Sequence, residues 1–329
     1  MSGPRRSCVP DAKHRQLHRP GGETTGVLRR LAAAVDDYLL VWVLGAVAVG
    51  LAIPPLAALK PLSTPLLAVM IGSVSLTLSP ARFRGVRGRP LAAVLAVQTA
   101  MPLAALALAR LLGLPAALAA GFVVLGAVTP ELVTPTMTEL AGGDTALSTV
   151  VLVVVGIATL ATVPAATTLL LAGSVAVDAW PIVRQLLVSV VAPMALAVGL
   201  RARFPDQIAP YDDLYSSVSG VMVVLVIGIV AADNAALVLA GDGALLPVVA
   251  GALGLNLAGY VAGWLGGTVL GFTPGERVAS TLCVGMRDFA VAAALLVAAG
   301  FPAAATLPAV VFGVVEMTTS AGLARYWAE

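Results

Sequence analysis

Val128-Thr129-Pro130-Glu131-Leu132-Val133-Thr134-Pro135-Thr136-Met137-Thr138-Glu139 ends an otherwise apolar run of about 25 residues, and its reading decides the fold. Two prolines five apart cannot sit inside an unbroken helix, because each removes a backbone hydrogen bond and clashes with the preceding turn. Unwound backbone survives at membrane depth only where protein or a water-filled cavity covers it. A second apolar run carries a comparable interruption, Cys283-Val284-Gly285-Met286-Arg287-Asp288, with a glycine beside two adjacent charges.

Working outward, apolar runs at about 38–58, 62–79, 89–112, 115–139, 145–172, 181–200, 215–239, 243–271, 276–300 and 303–325 predict ten membrane spans. The two interrupted runs are the fourth of the first five and the fourth of the second five. Matched broken segments in two halves predict an inverted-repeat transporter with its site where they cross. The expected divisions are a basic tail at 1–35, a first five-helix repeat at 36–173 and a second, inverted repeat at 174–329.

Composition agrees. Of 329 residues, 59% are hydrophobic and 11% charged, with a mean hydropathy of +0.99. Soluble domains carry about 25% charged residues, so a soluble enzyme and a nucleic-acid binder are excluded. Cys8 and Cys283 are the two cysteines, and His14 and His18, the two histidines, lie in the tail. No His-ligated metal or Ser/His/Asp triad can therefore be built inside the membrane. No Walker sequence is present, so ATP is not the fuel.

Charge sets the orientation. Arg5, Arg6, Lys13, Arg15, Arg19, Arg29 and Arg30 of the tail fall on one side. With ten spans so do Arg82, Arg84, Arg87, Arg89, Arg201, Arg203, Arg277 and Arg325, against Lys60, Arg110 and Arg184 on the other. The positive-inside rule then puts both termini in the cytoplasm and the protein in the cytoplasmic membrane. No short apolar run with a small-residue cleavage site precedes the first span, so no cleaved signal peptide is expected. Gly259, Gly263, Gly267 and Gly271 recur every four residues and predict a stripe for close helix packing.

Several stretches resemble the bile acid:sodium symporter family. They are Ser75-Leu76-Thr77-Leu78-Ser79-Pro80-Ala81-Arg82-Phe83, Gln98 with Met101-Pro102, Leu140-Ala141-Gly142-Gly143-Asp144-Thr145-Ala146-Leu147-Ser148, Asn256 with Gly259-Tyr260, and Val284-Gly285-Met286. The resemblance implies an all-α membrane protein of ten transmembrane helices, with broken helices 4 and 9 crossed in a core domain beside a panel domain. It also implies sodium-coupled uptake of organic anions or, in a related branch, export of arsenite.

The departures bear on coupling. The resemblance places a sodium-binding Ser-Asn pair on Thr134 and Pro135, a hydroxyl ligand on Ser148 with its next ligand position on Leu152, a shared glutamate on Cys283 and a glutamine on Arg287. Gln98 keeps a third-span ligand. Residual sodium ligands are thus Gln98, Thr134 and Ser148, and a guanidinium at the second site would repel sodium. Arg287, Asp288, Glu131 and Glu316 lie at or near membrane depth, where an ionised side chain costs about 2.5–3.5 kcal/mol and marks a pathway.

The expectation is that Arg287 stands in for a bound sodium, with Glu131 as its partner or a proton carrier and Asp288 paired with its neighbour. Glu316 and Thr319, in a polar cluster with Thr318 and Ser320, would face the substrate with Thr136 and Met286. Static ion pairs and backbone-capping hydroxyls are the structural alternatives. The expected activity is secondary transport of a small organic anion or weak acid, coupled to protons or to no ion. The alternatives are a sodium-coupled organic-anion symporter, an exporter of a small oxyanion such as arsenite, and a receptor that has lost transport. The expected partners are an anionic small molecule and the lipid bilayer, with no nucleic acid, no cofactor, and a monomer or weak homo-oligomer.

Overall fold

The computed structural model describes Arg30, Ala32, Ala34, Val35 and residues 38–78, 86–171, 179–240 and 245–328. Cys8, both histidines, Asp36, Asp37, Arg82, Arg84 and most of the basic tail lie outside the described residues.

The regular elements described are all helical. Helix α1 (Leu39–Ala52) passes through a tight 3-10 stretch, Pro54–Leu62, into α2 (Ser63–Ser75). Helix α3 (Gly88–Leu111) precedes the first broken pair, α4 (Ala116–Ala127) and α5 (Thr134–Leu140), and then α6 (Thr145–Leu170). Helix α7 (Ala179–Leu186) continues through one π-turn at Leu187–Val191 into α8 (Ala192–Arg203). Helix α9 (Asp212–Asp233) and the short α10 (Ala235–Ala240) lead to α11 (Leu245–Val269). The second broken pair is α12 (Pro274–Gly285) and α13 (Phe289–Ala298), followed by α14 (Leu307–Ala328).

Eight helical stretches among the described residues are long and apolar enough to cross a bilayer; Leu39–Ala52 and Ala116–Ala127 are apolar but shorter. Ten full-length spans were expected. The shortfall has a local cause: Pro54-Pro55 and Pro130 stop α1 and α4 before either reaches the roughly 20 residues a straight crossing needs. Large apolar side chains point outward, Leu111 and Val269 being 82% exposed. Water would penalise such a surface, and lipid accepts it.

The helices pack in two layers. Helix α9 lies against α1 and α2, and α2 against α8. The other layer joins α3 to α4, α6 and α11, and joins α11 to α12 and α14. The span Pro274–Ala298 is the most enclosed: 89% of its most apolar window is buried, against 56% for the next, Thr145–Leu170. A buried hydrogen bond from Asn234 Nδ2 to Thr306 Oγ1, 2.7 Å, ties the end of α9 to the start of α14 across the layers.

Gly259, Gly263 and Gly267 pack closely as expected, whereas Gly271 lies beyond the end of α11 and meets no atom within 4 Å. A Cβ on Gly259 would sit 2.6 Å from the Val284 carbonyl oxygen, and one on Gly263 would sit 2.5 Å from that of Ser280. Helix α11 therefore touches α12 backbone to backbone. Gly271, at φ +66°, then reverses the chain and lets Phe272 N–H bond the Gly267 carbonyl. We predict that Gly263→Ala, which forces backbone apart, destabilises the purified protein by about 1–3 kcal/mol. Thermal unfolding in detergent reads this, with Gly266→Ala, which meets no atom within 4 Å, unchanged.

Candidate substrate and ion pathway

Each broken span ends where the sequence forbids helix. Val128 is extended (φ −73°, ψ 168°) and Thr129 precedes a proline, which disfavours helical backbone. Helix resumes at Thr134, with Pro135 in the first turn, where no N–H is needed. In the second span Met286 is extended (φ −84°, ψ 135°) after Gly285, and Asp288 caps α13 by accepting from Val291 N–H at 2.8 Å. The two unwound segments cross: Asp288 N–H donates to the Thr129 carbonyl at 3.0 Å.

Backbone groups freed by unwinding must be paired away from water. Gln98 Nε2 on α3 donates to the Cys283 carbonyl at 2.7 Å, and Asn256 Nδ2 on α11 donates to that of Gly285 at 3.1 Å. Arg287 Nη1 donates to the Gly126 and Val128 carbonyls at 3.2 and 3.3 Å. Arg287 N–H donates to Glu316 Oε2 at 3.2 Å. Side chains from four neighbouring segments thus replace the missing helical bonds.

The charges lie at complementary helix ends. The Arg287 guanidinium, 1% exposed, sits on the carbonyls at the C-terminus of α4, the negative end of that half-helix. The Glu131 and Asp288 carboxylates lie at the positive N-terminus of α13, Glu131 facing Leu132 and Phe289 N–H and Asp288 facing Ala290 and Val291 N–H. This corrects two expectations. Arg287 forms no ion pair with Glu131, and Asp288 does not pair with its neighbour. Among the described residues the salt bridges are Lys60–Asp233, Arg87–Glu276 and Arg201–Asp212. Helix ends meet much of the demand that ion pairs were expected to meet.

Polar capacity remains unspent. Gln98 Oε1, Glu131 Oε2, Thr134 Oγ1, Asp288 Oδ2, Glu316 Oε1, Arg287 Nε and Arg287 Nη2 are buried without a hydrogen-bond partner. Glu131, Asp288 and Glu316 lie within electrostatic reach of one another. They do not converge on one ion: no described group of three His, Cys, Asp or Glu side chains is placed to hold a metal.

Two cavities flank the crossing. One of about 330 Å³ is lined by Glu131, Thr136, Met286 and Glu316, with Leu39, Leu40, Met137, Ser216, Met317 and Ser320 among its other walls. The other, of about 130 Å³, is lined by Gln98, Thr99, Val128, Thr162 and Arg287. Thr134, Pro135, Cys283 and Asp288 are buried and line neither. Ser148 donates to the Thr145 carbonyl at 3.0 Å in the first turn of α6. Thr319 is turned to α11, donating to Asn256 Oδ1 at 2.8 Å. A third cavity, of about 530 Å³, opens between the layers at the opposite end of α9 and is lined by Lys60, Thr64, Asp233 and Thr306.

Met137, Met317 and Ser216 escaped the sequence reading as wall residues. Glu316, Met317, Ser320 and Ala321 share one face of α14 at helical spacing, a signal available once Glu316 was singled out. Ser216 carried no signal, since α9 faces the cavity only through tertiary packing.

Crossed, unwound, charge-bearing segments between two layers of apolar helices define a multi-pass membrane transporter rather than an enzyme. The sequence model described as the Sodium Bile acid symporter family matches residues 64–241, more than half of the chain, and the chain belongs to that family. It is also similar to a protein of Bacillus subtilis (strain 168) named "Uncharacterized sodium-dependent transporter YocS". The two are 26% identical over 307 residues, which cover 92% of this chain and 94% of that one.

Removing the guanidinium strands two buried carbonyls and leaves the nearby carboxylates less compensated. Arg287→Met is expected to cost about 3–5 kcal/mol, the usual loss when one member of a buried charge arrangement is deleted. Arg287→Lys, which keeps the charge, is expected to recover part of it, as read by thermal unfolding of the purified protein.

Proposed function

We propose that the chain is a secondary transporter that carries a small organic solute across the cytoplasmic membrane by alternating access, with Arg287 as a tethered cation in place of one bound ion. The observation that carries this reading is the guanidinium seated on the α4 carbonyls beside the Asp288–Thr129 crossing. Carbonyls at a half-helix C-terminus are cation ligands in broken-helix transporters, and here a side chain fills that role.

Further support comes from the cavities. Those at the two ends of α9 lie along the same interface between the layers, the geometry rocking requires. In this reading ten crossings form two inverted five-helix halves, 36–173 and 174–329, and both termini are cytoplasmic. The Glu131 cavity then faces the cytoplasm, and the Asn234–Thr306 bond closes the outer path. Three acidic side chains share the crossing with one guanidinium, so in this reading a mobile cation, sodium or proton, balances the carboxylates when they ionise. The name of the Bacillus relative favours sodium; the proton is the second reading, because sodium's expected ligand positions hold Pro135, Cys283 and Arg287.

Thermal unfolding in sodium chloride against potassium chloride at fixed ionic strength tests the substitution. An ion that binds only the folded protein stabilises it by about 1–3 kcal/mol at ten- to hundredfold above its Kd. Arg287→Gln is expected to gain more from sodium than the wild type does. An equal gain in both proteins would mean that Arg287 replaces no ion.

A further inference from the structure

The 330 Å³ cavity is lined by two acidic side chains, whereas the solutes for which the family is named are anions. Glu131 is 5% exposed and Glu316 fully buried, yet both line this cavity, and each keeps one carboxylate oxygen without a partner. No lysine or arginine lines it. Arg287, the cation nearest in sequence, directs its Nη1 to the α4 carbonyls and lines the other cavity instead. An anion entering here would meet two acidic side chains and no lysine or arginine in the wall.

We infer that this cavity takes a solute with a positively charged amine head and a short apolar body. The head sits between Glu131 Oε2 and Glu316 Oε1, where a cation supplies what two desolvated carboxylates lack. The body lies against Met137, Met286 and Met317, whose flexible, polarisable side chains adapt to varied shapes. Ser216, Thr136 and Ser320 also line the cavity and add hydroxyl-bearing side chains to its wall. The volume lies near the lower end of the range for small-molecule sites, about 300–1,000 Å³, which favours a compact solute. Unlike an inorganic ion, an amine does not require three carboxylates on one centre, and that arrangement is absent among the described residues.

This inference rests on the transport reading only in treating the cavity as the solute's. The test is calorimetric titration of the full chain in lipid nanodiscs, in potassium chloride, with hexylammonium, hexanoate and hexanol; heats from empty nanodiscs are subtracted. Hexylammonium is expected to bind at least about tenfold more tightly than hexanoate, and Glu131→Gln and Glu316→Gln each to reduce that ratio by about tenfold. Hexanoate or hexanol binding as tightly as hexylammonium to the wild type, or no binding of hexylammonium, overturns the inference. The wild-type comparison decides this even where a variant does not fold. Counterflow of labelled hexylammonium into proteoliposomes separates the two claims: binding without counterflow keeps the cation site and contradicts transport.

Discussion

Everything at the centre of this protein depends on helix ends meeting charges inside the membrane. A broken helix exposes carbonyls at one break and N–H groups at the other, and each end carries roughly half an elementary charge. Here the α4 C-terminus holds the Arg287 guanidinium, and the α13 N-terminus holds the Glu131 and Asp288 carboxylates. Neither set of charges needs the other as a direct partner. Of the two carboxylates Glu131 also lines a cavity, and no ion pair with Arg287 occupies it.

The surrounding structure serves that arrangement. Gln98 and Asn256 pair the carbonyls that α12 leaves free, and the glycine stripe brings α11 close enough for Asn256 to reach. At the cytoplasmic end of this layer in the proposed orientation, Gly142 takes a positive φ and Asp144 caps α6. The Asp144 N–H bonds the Gly275 carbonyl, and Arg87 pairs with Glu276. These contacts fix the two broken spans in one unit. The layer of α1, α2, α8 and α9 meets that unit along an interface that holds cavities at both ends.

Much of this was legible in the sequence. Pro130 and Pro135 marked one break and Gly285-Met286-Arg287-Asp288 the other, because proline and a charged pair in an apolar run have few structural uses. The crossing itself, the burial of Glu316 and the role of the α11 glycines followed from position and spacing. The direction of the Arg287 side chain did not. Sequence offers Glu131 and Asp288 as partners of opposite charge, and it does not show that backbone carbonyls of α4 lie closer. Nor did it show that α9 lends Ser216 to a cavity wall, since that depends on how two layers meet. The sign of the solute was read from family likeness as negative; the amine inferred above rests instead on the acidic side chains that line the cavity.

The most direct measurement of the central claim, that the crossing is the barrier between two oppositely facing cavities, is side-specific thiol labelling. Thr136→Cys and, separately, Thr64→Cys would be placed on a Cys8→Ser background and treated with a membrane-impermeant reagent in right-side-out and inside-out vesicles. Thr136 lines the Glu131 cavity and Thr64 the Lys60 cavity. The crossing predicts labelling of Thr136→Cys from the cytoplasmic face and of Thr64→Cys from the opposite face. Labelling of both from one face would contradict it.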